Sequence, residues 1–238
     1  MRGKIRLLGT VLAVTGVLAI AWALVVWQWQ DPFTALYTVW KQHQLTAQYA
    51  KRASAFRATA PSRSSLTAER RDVAAEAQGY RLETHRGQPI GRIVVPRMGV
   101  NMILVDGTDH GSLTKGPGRD LATYMPGENR LVYIAGHRTT YLAPFSHIDL
   151  MRKGDSVTIK VPYGTFFYRV TGQRIVPAND LAVLRSPDHE LLILQACHPR
   201  FFATHRFLVY ARLVHVDPRG ATPYDLAAAA APGQASSK

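Results

Sequence analysis

The 238 residues contain one cysteine, and an unbroken apolar run leads up to it, Leu191-Leu-Ile-Leu-Gln-Ala-Cys197. His198, Pro199 and Arg200 follow, and a short loop leads to a second apolar run, His205-Arg206-Phe-Leu-Val-Tyr-Ala-Arg212. Their length, β-branched content and bracketing turn residues predict two buried strands, with Cys197 closing the first and Arg206 opening the second. A lone thiol at a strand end near an arginine has the makings of a nucleophile on rigid scaffolding. Thiols react as thiolates, so a neighbour has to take the proton or steady the anion, and imidazole is the usual one. A single cysteine cannot form an intramolecular disulfide, so the thiol is either buried and inert or kept free for chemistry.

Nine histidines compete for the role of partner. His198 is adjacent to the thiol, but neighbours on an extended chain point to opposite faces. His43 and His85 fall in a helical segment ahead of the main domain. His110, His147, His189, His205 and His215 fall in or near loops and strand ends, the usual setting of a solvated imidazole. His137 differs in context, because it closes the run Arg130-Leu-Val-Tyr-Ile-Ala135 directly after Gly136, where an unencumbered backbone leaves the ring in an opening. Alternation puts Arg206 with Leu208, Tyr210 and Arg212 on one face, and Phe207, Val209, Ala211 and Leu213 on the other. If the first face lines a groove beside Cys197, Arg206 is a fixed cation where an oxyanion would form; if that face is solvent, it is an ordinary edge charge. No two or three of His, Cys, Asp and Glu fall at ligand spacing on one element, so no metal or other cofactor is expected.

The elements that must position these groups can be read in order. Met1-Arg-Gly-Lys-Ile-Arg6 is a basic head, and Leu7 to Trp27 carries no charge, a length of about 31 Å as a helix and enough for a bilayer core. Trp27 and Trp29 suit the outer interface, and Arg2, Lys4 and Arg6 keep the N-terminus cytoplasmic, so residues 1–30 are expected to anchor an extracellular chain to the cell membrane. Ala19-Ile-Ala21 resembles a signal-peptide cleavage site, but the apolar stretch runs too far beyond it for a cleaved leader. Residues 31–86 are expected to form a stalk: a helix over Thr34–Arg57, a break at Ala60-Pro-Ser-Arg-Ser-Ser65, and a second helix from Leu66 ending at Gly79, neither with a wide apolar face to pack. Residues 87–216 carry short strands at Gly91–Pro96, Val100–Val105, Arg130–Ala135, Asp155–Val161 and Thr165–Gln173 ahead of the Cys197 and Arg206 strands, with one helical turn near Pro144–Ile148. That spacing predicts a mainly β barrel or sandwich without βαβ units. Residues 217–238, with their alanine run, are expected to be a disordered tail.

The net charge is +13, but the excess is spread along the chain with no basic block and no interleaved aromatics. Nucleic acid is therefore not an expected partner, whereas an anionic membrane surface or cell wall is.

Gly91-Arg-Ile-Val-Val-Pro96, Lys115-Gly-Pro-Gly118, Ile134-Ala-Gly-His137-Arg138-Thr-Thr140, Lys153-Gly-Asp155 and Ala196-Cys197-His-Pro199 with Arg206 appear in the order seen in sortases, the membrane-anchored cysteine transpeptidases of Gram-positive bacteria. The Gly-His-Arg-Thr-Thr and Cys-His-Pro segments most resemble the class E enzymes of high-GC species. The resemblance covers residues 87–215 and implies an eight-stranded sortase β-barrel. It implies Cys197 as nucleophile on the Thr–Gly carbonyl of an LPxTG or LAxTG sorting signal, His137 as general acid and base, and Arg206 as the group binding substrate backbone or oxyanion. The implied partners are surface proteins bearing a C-terminal sorting signal and an amine on a peptidoglycan precursor or pilin. One departure stands out: where the family has Thr-Leu-x-Thr-Cys, this chain has Ile193-Leu-Gln-Ala-Cys197. Ala196 takes the position of a threonine that lines the substrate groove in relatives, so a hydroxyl that could contact the signal is missing.

Two other readings bear on the same residues. An L,D-transpeptidase expects Ser-x-Gly-Cys with an arginine two residues after the cysteine, and here Gln195-Ala196 precede Cys197 while Pro199 holds the later position. A catalytically silent, membrane-tethered scaffold with the same fold is supported by the missing threonines and opposed by the joint presence of Cys197, His137 and Arg206.

Overall fold

The computed structural model describes residues 2–29, 32–57 and 65–226. Its strands are β1 (Pro89–Val95), β2 (Val100–Asp106), β3 (Gly118–Arg119), β4 (Leu131–Ala135), β5 (Ser156–Val161), β6 (Gly164–Pro177), β7 (Leu191–His198), β8 (His205–Pro218) and β9 (Tyr224–Asp225). They hydrogen-bond in the order β6-β5-β1-β2-β3-β4-β7-β8, and β6 pairs again with β8, so eight strands close into a barrel. Closure leaves few open edges for edge-to-edge association. The two-residue β9 is an addition on the outside of β8.

The barrel interior holds Ile93, Val132, Ile134, Phe166, Leu192, Leu194 and Val209, among others, all fully buried. A second, smaller cluster forms on the opposite face of the same wall from Leu131, Tyr133, Val176, Ile193 and Leu208. Strands β4, β7 and β8 are thus covered on both sides, which is why their sequences read as unbroken apolar runs without alternation.

The barrel is preceded by α1 (Arg2–Trp29), α2 (Pro32–Ala55) and α3 (Leu66–Glu83). Residues 2–24 of α1 are long and apolar enough to cross a membrane, and none of that window is buried in the protein. The side chains of Trp27 and Trp29, and most of the break expected at residues 60–65, lie outside the described residues.

The structure corrects the expectation of a stalk over residues 31–86, because both helices pack on the barrel. Gln42 of α2 accepts from the Ile103 amide (2.7 Å) and donates to the carbonyls of Ile103 (3.0 Å) and Lys115 (2.8 Å), supplying to β2 the pairing that the short β3 leaves unmade. The Thr38 hydroxyl donates to the Thr114 carbonyl at 3.0 Å, and Leu45 packs on Ile103 and Val105. Helix α3, capped by Ser65, sends Val73, Ala77 and Tyr80 into the main core, and the Tyr80 hydroxyl bonds the Ile90 carbonyl. It runs through Gly79 to Glu83 because Tyr80 is anchored there and Arg81 forks onto Glu128 at 2.8 and 3.1 Å. A narrow stripe of small and aromatic residues suffices where the facing surface is already built.

The tail is corrected as well. Strand β8 continues to Pro218, Tyr224 and Asp225 pair with it, and Leu226 packs against the core. Residues 227–238 lie outside the described ones.

Candidate active site

Three adjacent strands end at one place. Strand β4 runs parallel to β7 in the register Ala135↔Gln195, and the Gly136 amide still donates to the Gln195 carbonyl at 3.0 Å. Carried two residues further, that register sets His137 alongside Cys197. On the other side β7 pairs antiparallel with β8, and Cys197 is directly opposite Arg206. Opposed residues in a ladder share a face, so the thiol and the guanidinium project to the same side of the wall. The three residues predicted from sequence are therefore gathered at neighbouring strand ends, with Cys197 and Arg206 each partly exposed.

Arg206 is held by its own backbone surroundings. Its Nη1 donates to the carbonyls of Ala203 (2.8 Å) and His205 (3.0 Å), which fixes the planar group and leaves its other N–H donors facing outward. A groove of about 150 Å³ begins at Arg206. It is lined by Tyr133 and Gln195 of the strands, by Thr108 and Asp120, and by the turn at Leu181–Leu184. Burial pushes the Tyr133 phenol well above its ordinary range, against the pull of the nearby Arg206 charge. Between β7 and β8 the loop leaves Phe201 and Phe202 exposed.

His137 is enclosed more than its loop position promised. Its ring lies 5.1 Å from that of Tyr141 at a tilt of 35°, and its Nε2 is buried with no hydrogen-bond partner among the described residues. Burial, helped by the charge of His110, holds the imidazole below its usual pKa, so the neutral ring is favoured. A buried nitrogen left unpaired at the strand end next to that of Cys197 is a group available to a transient proton. Gly136 is required just ahead of it, since a Cβ there would come within 2.7 Å of the Phe145 ring.

Ala196 is where the structure departs from the sequence reading. It is fully buried in the main core, on the opposite face of β7 from Cys197, so its side chain does not line the groove. Alternation requires this: if Cys197 faces out, its neighbour faces in. Gln195, two residues before the thiol and on its face, lines the groove instead.

Arg138 was not singled out in the sequence. It is nearly fully buried, and its Nη1 reaches the Cys197 carbonyl (3.3 Å) and His198 Nδ1 (3.1 Å). Its Nη2 pairs with Asp149 at 2.8 Å, and the guanidinium lies 5.9 Å from the Phe207 ring centre. It thereby ties the loop carrying His137 to the strand end carrying Cys197. A charged residue directly after the histidine was the only available signal, and sequence alone gives no reason to bury it. Among the described residues no group of three or more His, Cys, Asp or Glu side chains comes together to hold a metal ion.

A family model described as the sortase domain matches residues 93–214. The chain is 31% identical over 158 residues to Sortase D of Bacillus subtilis, a match covering 65% of this chain and 77% of that one. Among solved structures, a Clostridium perfringens Sortase D5 transpeptidase superposes with a TM-score of 0.59 at 22% identity, over 73% of this chain and 98% of the other. Sortase E from Streptomyces avermitilis superposes with a TM-score of 0.51 at 29% identity, over 57% of this chain and 93% of the other. These three carry the names Sortase D, Sortase D5 and Sortase E.

Proposed function

The chain belongs to the sortase family of cysteine transpeptidases, and from that premise we propose that it cuts a C-terminal sorting signal of the LPxTG or LAxTG kind between Thr and Gly and passes the protein to a wall-linked or pilin amine. The observation that carries this reading is the convergence of His137, Cys197 and Arg206 at the ends of β4, β7 and β8, with a groove leading to Arg206.

The chemistry follows from these side chains. The signal lies in the groove with its Thr–Gly carbonyl over Cys197. Neutral His137 takes the thiol proton as sulfur attacks, giving a tetrahedral oxyanion that the outward N–H groups of Arg206 hydrogen-bond. Collapse of the intermediate breaks the C–N bond, and the imidazolium returns its proton to the departing glycine amine. The acyl group is now a thioester on Cys197, which retains enough free energy to form a second amide. An incoming amine attacks it, His137 accepts the amine proton, and the thiolate leaves. The depressed pKa of His137 suits both halves, because a neutral imidazole is the form that receives the proton each time.

On this reading α1 anchors the enzyme in the membrane with its N-terminus cytoplasmic and the barrel outside, where sorting signals and wall precursors both arrive. The Gly136-His137-Arg138-Thr139-Thr140 and Cys197-His198-Pro199 segments favour class E, while the identity to a class D relative keeps that subclass in play. Incubating residues 32–226 with LAxTG and LPxTG peptides, with and without triglycine, tests the proposal by intact mass. A covalent adduct on Cys197, discharged by the amine, is expected, and the better peptide assigns the signal. Cys197→Ala should form no adduct and His137→Ala scarcely any; full transfer by either variant would end the proposal.

A further inference from the structure

Helix α2 carries two stripes on opposite faces. Thr34, Thr38, Gln42, Leu45 and Tyr49 recur every three or four residues and face the barrel. Leu36, Val39, Trp40 and His43 recur in the same way on the far side, where Leu36 is 71% exposed and Val39 and Trp40 are each 52% exposed. A helix packed on a soluble domain ordinarily turns polar residues outward, and the first turns of α2 do the reverse.

Three observations indicate what covers that stripe. Only residues 30 and 31 separate α2 from the membrane-length helix α1, and the chain from Trp29 to Leu36 spans no more than about 25 Å even when fully extended. The outward residues are a tryptophan with branched aliphatics, the composition favoured where acyl chains meet headgroups. Helix α2 contains no acidic residue, Lys41 lies 4.4 Å over the Trp40 ring and Lys51 is exposed further along the helix, so the charge beside the stripe is basic.

We propose that the first turns of α2 form an interfacial helix whose stripe of Leu36, Val39 and Trp40 lies in the anionic lipid surface beside the α1 span. The inference rests on α1 as membrane anchor and is independent of the transpeptidase reaction. Its consequence for the site is direct. On its inner face the Thr34 hydroxyl accepts a hydrogen bond from the Tyr141 amide at 3.1 Å, and Tyr37 meets the Tyr141 ring edge-on at 6.5 Å. Tyr141 in turn covers His137. The catalytic loop therefore sits about one helix diameter, roughly 10 Å, from the bilayer, and the barrel is held against the membrane instead of being extended from it.

The test uses the full chain in phosphatidylcholine–phosphatidylglycerol vesicles, with Trp22, Trp27 and Trp29 changed to Phe so that Trp40 is the sole tryptophan. Lipids brominated high in the acyl chain quench only tryptophans at the interface, and a roughly two-fold loss of Trp40 emission is expected. Flotation separates the two layers of the inference. Protein that floats with the vesicles while Trp40 emission is unchanged overturns the docking and leaves the anchor standing. Protein that does not float removes the anchor, and the docking with it. A blue-shifted Trp40 without quenching, in a chain that cross-links to itself through position 40, assigns the stripe to a second copy and also overturns the proposal. In Leu36→Glu/Trp40→Glu the outward positions cost the fold little. Transfer from a soluble peptide should persist, while transfer from a vesicle-tethered signal should fall about ten-fold or more.

Discussion

Replacing Arg138 by Met should cripple transfer while leaving the barrel folded. The guanidinium bridges the loop after His137 and the strand end at Cys197: its Nη2 pairs with Asp149 and its Nη1 donates to the Cys197 carbonyl and to His198 Nδ1. Met fills the same volume and keeps the packing on Phe207 but removes both donors. Hydrogen bonds from a charged donor contribute about 1.5 to 3 kcal/mol each, and the lower figure applies because Cys197 and His198 are half-exposed. Two bonds then amount to about 3 kcal/mol of positioning, or roughly a hundred-fold in kcat/KM if the displaced thiol meets the carbonyl badly. The loss should fall on kcat, since the groove beside Arg206 is untouched, and on the rate of Cys197 alkylation. Asp149→Asn is the companion variant: it removes the charge at the exposed end of the pair, keeps an acceptor there and leaves both Nη1 bonds in place, so it should cost less of kcat/KM than Arg138→Met. Peptide-to-triglycine kinetics, with thermal unfolding as a control, decide the matter. An Arg138→Met enzyme within about three-fold of wild type would refute the reasoning, as would one whose loss tracks unfolding.

Other expectations follow from single positions. Burial holds the Glu190 carboxyl at about 7 against an ordinary 4.5, although Tyr168 Oη (2.5 Å) and the amides of Gly127 (2.9 Å) and Asn129 (3.2 Å) donate to it. The folded chain thus keeps a proton that the unfolded chain releases from pH 4.5 upward, so this group's stabilisation is full below 4.5 and is lost as pH rises to about 7. At about 1.4 kcal/mol per pH unit the loss is roughly 3 kcal/mol, and urea unfolding across that range should show wild type falling relative to Glu190→Gln; parallel curves would contradict it. Gly136→Ala drives a Cβ to within 2.7 Å of the Phe145 ring and should lower transfer more than it lowers Tm, because the displacement falls beside His137. The His137 ring should titrate below 6.5 by NMR, from burial first and His110 second, and His110→Gln should move it upward; a downward move or none would rule His110 out as a cause.

The sequence was legible where one residue type at one position sufficed. The strands holding Cys197 and Arg206 could be read from apolar runs bounded by turns, because a strand buried on both faces tolerates little else. His137 was singled out among nine histidines by Gly136 before it; in the structure that glycine is needed for the Phe145 ring, and the His137 ring is enclosed instead of open. The helices of residues 31–86 were read as a spacer because much of their contact with the barrel runs through Gln42, Thr38 and Tyr80, polar or amphipathic residues whose partners are backbone carbonyls and amides of the barrel. The apolar part of the contact, Val73, Ala77 and Tyr80 on α3 and Leu45 on α2, is a stripe too narrow to stand out in the sequence.

Side-chain identity thus pointed to Cys197, His137 and Arg206 as the candidate site and to the mainly β class, since those readings rest on local chemistry and on the length of apolar runs. Tertiary structure decided which side of β7 faces the groove, and so excluded Ala196 and admitted Gln195. It also decided that Arg138 is buried against the Cys197 backbone, and that α2 holds the loop carrying His137 and Tyr141 with its polar stripe and turns its apolar one outward. Each of these is a relation between residues distant in sequence, set by strand register and closure of the barrel, and only the folded chain brings them within reach of one another.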